Sequence, residues 1–333
     1  MKLSKIHDVT LRDGNHALRH KLSIEVAIKY AKMAYESGIQ SIEIGHGNGL
    51  GASSGLIGFS EVQELTMLEK VREAIPNALL GVHSIPSFST IDRNILPAIK
   101  LGVDSFRIAA HCTEMDTTRK HIEFIRDQNK IVTGTLMMIT HSKVPELIEE
   151  SKKLVEYGAQ RIVFMDSVGG YTPKDVKDLM QACSNELSIP FGFHAHNNLN
   201  LAVWNSITAL QSGGSFVDAS ILGLGAGAGN AQLENIVAVM KKIEIDSNLD
   251  FIAIVKLAHF SEKYLDFPNP LPTSLSIASS YCNLFSGFLP IIKNAAGTHK
   301  VSEIDLVFSL TALNLVAGQE DLIYKKASEI SRR

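Results

Sequence analysis

From Ile6 to Ile243, short apolar runs alternate with longer segments whose apolar residues recur at helical spacing, a rhythm that predicts βα units around a parallel sheet. Strands are expected at Ile6–Thr10, Ser41–Gly45, Ala78–Val82, Ser105–Ala109, Ile131–Met138, Arg161–Asp166, Phe191–His194 and Phe216–Leu222. Between them, Ile24, Ala27, Ile28 and Ala31 share a helical face, as do Val144, Leu147, Ile148, Ser151 and Val155, with the serine the one polar member. Ser23 reads as a helix N-cap, and Thr172, Pro173 and Asp175 as a cap, an N1 proline and a capping box. Gly38, Gly102, Gly158 and Gly213 each stand between a helical pattern and the next strand, where a helix end takes a left-handed residue. Eight units with this recurring end predict a closed (β/α)8 TIM barrel, with an open doubly wound sheet as the alternative.

After Ile243 the rhythm changes. A helical pattern covers 251–265, Pro268, Pro270 and Pro272 interrupt it, and helical segments resume after Ser274. The expectation is a catalytic barrel over 1–246 and a helical C-terminal region over 247–333, packed on the barrel mouth or serving as a partner or dimer contact. A net charge of -3 and the lack of a long basic block exclude the electrostatic footprint of a nucleic-acid binder. Cys112, Cys183 and Cys282 have no metal-binding spacing and read as reduced thiols of a cytoplasmic protein. Met1–Asp8 lacks the apolar run of a secretory signal, and no apolar stretch reaches the roughly 20 residues that span a bilayer.

The chemistry gathers at expected strand ends. His194 and His196, one residue apart at the end of the seventh strand, point to the same side of an extended chain and can converge on one divalent ion. Two histidines satisfied by ordinary hydrogen bonds are the plain alternative. After the first strand come Arg12, Asp13 and His16; Asp13 offers the oxygen that completes a two-histidine, one-carboxylate set. The alternative there is an Arg12–Asp13 ion pair with a capping aspartate. His46, in a glycine turn after the second strand, either lines the site or is a passenger of that turn. Ser167 offers a hydroxyl after the sixth strand, beside Asp166, which either orients a ligand or caps its loop. The run Gly223-Leu-Gly-Ala-Gly-Ala-Gly229 is expected to open a helix and receive an anionic group on its amides, with Asn230 capping that helix or reaching the metal. His83, His111, His121, His141, His259 and His299 have no partners in sequence and read as structural or surface histidines, although His83 and Pro86 end the third strand and can shape a substrate passage.

Asp8-Val-Thr-Leu-Arg-Asp-Gly14, His194-Ala-His196 and Gly229-Asn230, in that order, resemble the metal-dependent pyruvate aldolases related to hydroxymethylglutaryl-CoA lyase. Ile42-Glu-Ile-Gly-His46-Gly, His111-Cys-Thr-Glu114, Leu136-Met-Met138, Val217-Asp-Ala-Ser220 and Gly318-Gln-Glu-Asp321 bring the likeness closer to the 4-hydroxy-2-oxovalerate aldolase family, over nearly the whole chain. The resemblance implies that Asp13, His194 and His196 bind a divalent metal, typically Mn2+, with Mg2+ or Co2+ as alternatives. It implies that Arg12 stabilises enolate charge, that His16 is the catalytic base and that Ser167 contacts the substrate carboxylate. It further implies an oligomer and an acylating aldehyde dehydrogenase as partner, met through the C-terminal region. This chain departs from the family where relatives carry a substrate-contacting tyrosine: it reads Leu284-Phe285-Ser286, with Tyr281 one helical turn upstream. Asn48 replaces an acidic residue, and Ser84, Ile85 and Ser87 stand at the third strand end, so the aldehyde is not set by the resemblance. The alternatives to a pyruvate aldolase are a Claisen-type acyl-CoA lyase or synthase on the same metal core, and a non-catalytic subunit of a dehydrogenase complex.

Overall fold

The structure is a computed structural model that describes residues 5–55, 57–267, 271–316 and 318–332. In chain order the elements are β1 (Ile6–Leu11), α1 (Ile24–Glu36), β2 (Ser41–Ile44), α2 (Glu64–Ala74), β3 (Leu79–Ser84), α3 (Leu96–Lys100), β4 (Ser105–His111), α4 (Arg119–Asp127), β5 (Ile131–Met137), α5 (Val144–Tyr157), β6 (Arg161–Asp166), α6 (Pro173–Glu186), β7 (Phe191–Ala195), α7 (Ala202–Gln211), β8 (Phe216–Ala219) and α8 (Leu233–Lys242). Helices α9 (Phe251–Tyr264), α10 (Ser274–Tyr281), α11 (Leu289–His299), α12 (Glu303–Leu310) and α13 (Glu320–Ser331) follow.

The eight strands pair in sequence order, all parallel, and β8 closes on β1, so the sheet is a closed barrel rather than an open doubly wound one. The local signals act as expected. Ser23 accepts the Val26 N–H, the Thr172–Asp175 capping box forms, and Gly38, Gly102, Gly158 and Gly213 all have positive φ, between 86° and 113°. At Gly158 a side chain would be strained by φ +113° and would also press on Arg126.

Two strand ends differ from expectation. The third strand starts at Leu79 and runs on to Ser84, because its pairing with β4 extends through His83↔Arg107 and Ser84↔Ile108. The eighth stops at Ala219 instead of Leu222: Ile221 N–H turns to the Thr10 hydroxyl at 2.8 Å, and Leu222 adopts φ 55°. A third difference concerns the glycine run, which forms a loop; the helix it was expected to open starts only at Leu233, behind Gln232.

The change of core comes later than the change of sequence rhythm. Ile254, Leu257, Ala258, Phe260 and Leu265 of the α9 region join the barrel's apolar core, whereas Leu275, Cys282, Leu284, Phe288, Ile292, Leu306, Val307, Leu310 and Ile323 form a second one. The periodicity after Ile243 records the end of strand formation, not the end of packing on the barrel. Contacts across the two units are polar: Asn198 donates to Ser276 O and Ser286 Oγ, and His141 pairs with Asn283 O at 3.1 Å.

Candidate active site

Closure of the barrel sets β1 near β7 and brings Asp13, His194 and His196 together, with one donor atom from each lying within 4.8 Å of the others. All three are buried, at 3%, 1% and 4% exposure. His194 Nδ1 lies 2.9 Å from Asp218 Oδ2. That carboxylate places the imidazole proton on Nδ1 and leaves the Nε2 lone pair toward Asp13, 3.8 Å away. Neither His194 Nε2 nor His196 Nδ1 has a hydrogen-bond partner, and both are buried. Unpaired buried nitrogens beside a carboxylate fit a divalent cation: ligation would satisfy polar atoms whose desolvation is otherwise uncompensated. The hydrogen-bonded alternative for the two histidines is thereby set aside. Burial and the nearby histidine and arginine charges keep His196 neutral, with a pKa near 4, the form that binds metal.

Asp13 is held on both oxygens. Arg12 Nη1 donates to Oδ2 at 2.6 Å and the Ala226 N–H to Oδ1 at 3.2 Å. Burial raises the Asp13 pKa, and Arg12 with His196 and His194 more than reverses this, so it stays far below the usual carboxylate value. The Arg12–Asp13 ion pair exists, but at 2% and 3% exposure it belongs to the buried site rather than to a surface loop. The glycine run does present an amide to an anion, and that anion is Asp13 itself. Asn230 caps no helix: its Nδ2 donates to Leu224 O at 2.9 Å, its backbone bridges to His196, and its buried Oδ1 has no partner.

Arg12 begins a buried chain of charges across the barrel. Its Nε donates to Glu43 Oε1 at 2.6 Å; Arg107 Nε donates to Glu43 Oε2 at 2.8 Å; Arg107 Nη2 donates to Asp218 Oδ1 at 2.9 Å, and Asp218 meets His194. Burial raises the Glu43 pKa, and Arg107 and Arg12 overcome it, so it is held well below its usual value. The Nη2 group of Arg12 remains buried and without a partner. Glu43, Arg107 and Asp218 were missed as site residues, yet each interrupts an apolar run at Ile42-Glu-Ile, Phe106-Arg-Ile and Val217-Asp-Ala, which is the signal that charge faces the barrel interior.

His16 ends the short 3-10 turn Asp13–His16 and is partly exposed. Burial lowers its pKa, opposed by Asp13. Its ring lies edge-on to His20, with centroids 5.2 Å apart, and packs so tightly on Gly47 that a Cβ there would fall 2.4 Å from its Nε2. His20, also missed, stacks on His46 at 3.6 Å. Both His46 nitrogens are engaged, by Asn48 N and Gly58 O, so His46 packs the glycine turn and is not free to ligate.

Ser167 is buried behind β6, and its Oγ accepts the Met138 N–H at 3.0 Å. Asp166 caps its loop, accepting the Gly170 and Tyr171 amides; burial still raises its pKa to about 6. Phe285 is half-buried, edge-on to Phe288, and the next residue, Ser286, accepts from Asn198 behind β7. Tyr281 is not brought to the mouth: it is 80% exposed with its ring against Phe308. His111 and His141, expected to be unpaired, face each other at 3.4 Å.

Fold and donor set together define a (β/α)8-barrel enzyme with a two-histidine, one-carboxylate site for a divalent metal. Residues 4–260 match the HMGL-like family and residues 270–332 the DmpG-like communication domain. The chain is 43% identical over 328 residues to a 4-hydroxy-2-oxovalerate aldolase of Spirochaeta aurantia, covering 98% of this chain and 96% of that one. It is 44% identical over 328 residues to one of Burkholderia pseudomallei (strain K96243), with 98% and 94% covered. Among solved structures, the carboxyl transferase domain of Rhizobium etli pyruvate carboxylase superposes with a TM-score of 0.82 at 18% identity, over 99% of this chain and 61% of that one, a likeness of fold. The chain belongs to the 4-hydroxy-2-oxovalerate aldolase family.

Proposed function

We propose that this protein cleaves, and in reverse forms, a 4-hydroxy-2-oxo acid, giving pyruvate and an aldehyde. The observation that carries the reading is the convergence of Asp13, His194 and His196 with an unpartnered Arg12 Nη2 beside them. The curated relatives carry the same activity in their names. Asp13, His194 and His196 hold the divalent cation, for which we propose Mn2+, since mixed nitrogen and oxygen donors with open positions suit it. Once bound, the cation supplies a Lewis acid toward the keto and carboxylate oxygens of a 2-oxo acid.

The protein's own residues do the rest. Arg12 Nη2 is a fixed, desolvated donor for the negative charge that develops on the keto oxygen as the C3–C4 bond breaks. His16, kept neutral by burial, accepts the C4 hydroxyl proton and returns one to the aldehyde in the reverse direction. Ser167, whose oxygen already accepts from Met138, directs its proton to the substrate carboxylate. Asp218 holds the His194 ring so that its lone pair does not wander. Phe285 supplies an apolar edge where a hydroxyl is absent. In the C-terminal unit, the communication-domain match and the exposed Ile277, Tyr281 and Phe308 support docking to an acylating aldehyde dehydrogenase in the cytoplasm, within an oligomer. Purified protein loaded with Mn2+ and given a panel of 4-hydroxy-2-oxo acids is expected to release pyruvate. Release of CoA from acyl-CoA substrates without any pyruvate would replace this reading with the Claisen-type one.

A further inference from the structure

The mouth holds a second unpartnered buried group that the metal and Arg12 do not use. His83 stands on β3, 2% exposed, and its Nδ1 has no hydrogen-bond partner. Its Cα pairs in register with Arg107, whose guanidinium faces the barrel interior, so pleating points the imidazole inward as well. On β5, Thr135 is fully buried and its Oγ1 is also unpartnered. Thr135 pairs with Ala109, two residues beyond Arg107 and on the same face of the sheet. A histidine and a threonine with nothing to bond therefore flank a strand that offers only a methyl group between them. The loop after β2 covers one edge of the imidazole: a Cβ at Gly49 would meet the His83 ring at 3.0 Å.

Resting on the aldolase reading, we propose that His83, with Thr135, binds a hydroxyl group on the aldehyde-derived half of the substrate, so that the preferred substrates are 4-hydroxy-2-oxo acids that carry a further hydroxyl at C5. Neither orphan would arise by packing alone, since a desolvated polar atom left without a partner is destabilising. The imidazole is neutral: burial pushes its pKa well below the usual histidine value and Arg12 pushes it further. A neutral ring and a threonine hydroxyl complement an alcohol, which both donates and accepts, better than a carboxylate, which needs a cation. An alkyl aldehyde fragment in the same place would leave both polar atoms unsatisfied. That asymmetry makes a hydrogen-bonding pocket more selective than an apolar one.

The test compares kcat/KM of the Mn2+-loaded enzyme for 4-hydroxy-2-oxopentanoate and for 4,5-dihydroxy-2-oxopentanoate. The dihydroxy acid is expected to be favoured by on the order of tenfold or more, the worth of one neutral hydrogen bond and the orphan it removes. His83→Leu is expected to abolish or invert that ratio, and His83→Asn, which keeps hydrogen-bonding atoms, to restore part of it. A ratio is read because a merely damaged fold lowers both values together. Preference for the alkyl acid by the unaltered enzyme, or the same ratio in His83→Leu, overturns the proposal. Exchange of the pyruvate methyl protons with deuterium oxide, which needs no aldehyde, is measured alongside. Its absence together with no cleavage of either acid would sink the aldolase reading instead.

Discussion

Inside the barrel, Arg12, Asp13, Glu43, Arg107 and Asp218 are each at most 3% exposed, whereas among the described residues from Leu275 onward the buried polar side chains are four serines, Ser276, Ser279, Ser280 and Ser286. The two cores lie in one chain and follow different priorities. Burying five charges is costly even when they are paired, and a close-packed apolar interior would serve stability as well or better. The barrel accepts that cost because each pairing fixes the direction of a group at the mouth: Glu43 fixes Arg12, and Arg107 fixes Asp218, which in turn fixes His194. The second core has no such task, and its polar groups cap helices or join it to the mouth. Its outer surface instead shows Ile277, Tyr281 and Phe308.

If orientation is what the barrel's charges supply, substitutions should rank by their distance from the reacting atoms. His16→Ala is expected to lower kcat by roughly 10^2 to 10^4, the range for removing a general base, while Mn2+ content by elemental analysis stays stoichiometric. Should kcat hold, the base is another group and the partly exposed His16 serves only to pack the glycine turn. Arg107→Leu leaves Glu43 and Asp218 buried without their shared cation and should destabilise the fold by about 3–5 kcal/mol in urea titration. A loss below about 1 kcal/mol would mean that the charge chain is solvated and that the contrast between the cores is weaker than drawn.

Asp218→Asn keeps an acceptor for His194 but removes the charge that fixes its tautomer, and should weaken Mn2+ binding by about 10- to 100-fold, read by competition with a chelating dye. Smallest of all, Tyr281→Ala should change unfolding free energy by no more than about 0.5 kcal/mol and leave pyruvate release as it was, because the ring is exposed. The same variant should weaken co-purification with an acylating aldehyde dehydrogenase. A variant that binds the dehydrogenase as before would move the docking surface elsewhere on the C-terminal unit.

Much of this was legible in the chain. Hydrophobic period, Ser23, the Thr172 capping box and the positive-φ glycines are local devices whose meaning depends on neighbours within a few residues, so they predicted the βα units and the barrel. His194 and His196 are two residues apart, and strand geometry alone sets them on one side. The helix expected after the glycine run failed for a local reason too, since Gly223, Gly227 and Gly229 all take positive φ and turn the chain before Gln232. Tyr281 was expected near the mouth by counting one helical turn from Phe285, but the helix ends at Tyr281 and the chain redirects before Phe285.

What the sequence alone determined is the set of elements, the strand-end positions of Asp13, His194 and His196, and the family to which those motifs point. Tertiary structure decided which groups meet. Arg107 reaches Asp218 across 111 residues, His194 reaches Asp218 across 24, and His20 stacks on His46 through a loop between different strands. Barrel closure and strand register set those encounters, and neither is encoded at any single position. The same closure left His83 Nδ1 and Thr135 Oγ1 without partners, because whether a buried polar atom is satisfied depends on everything around it rather than on its own residue type.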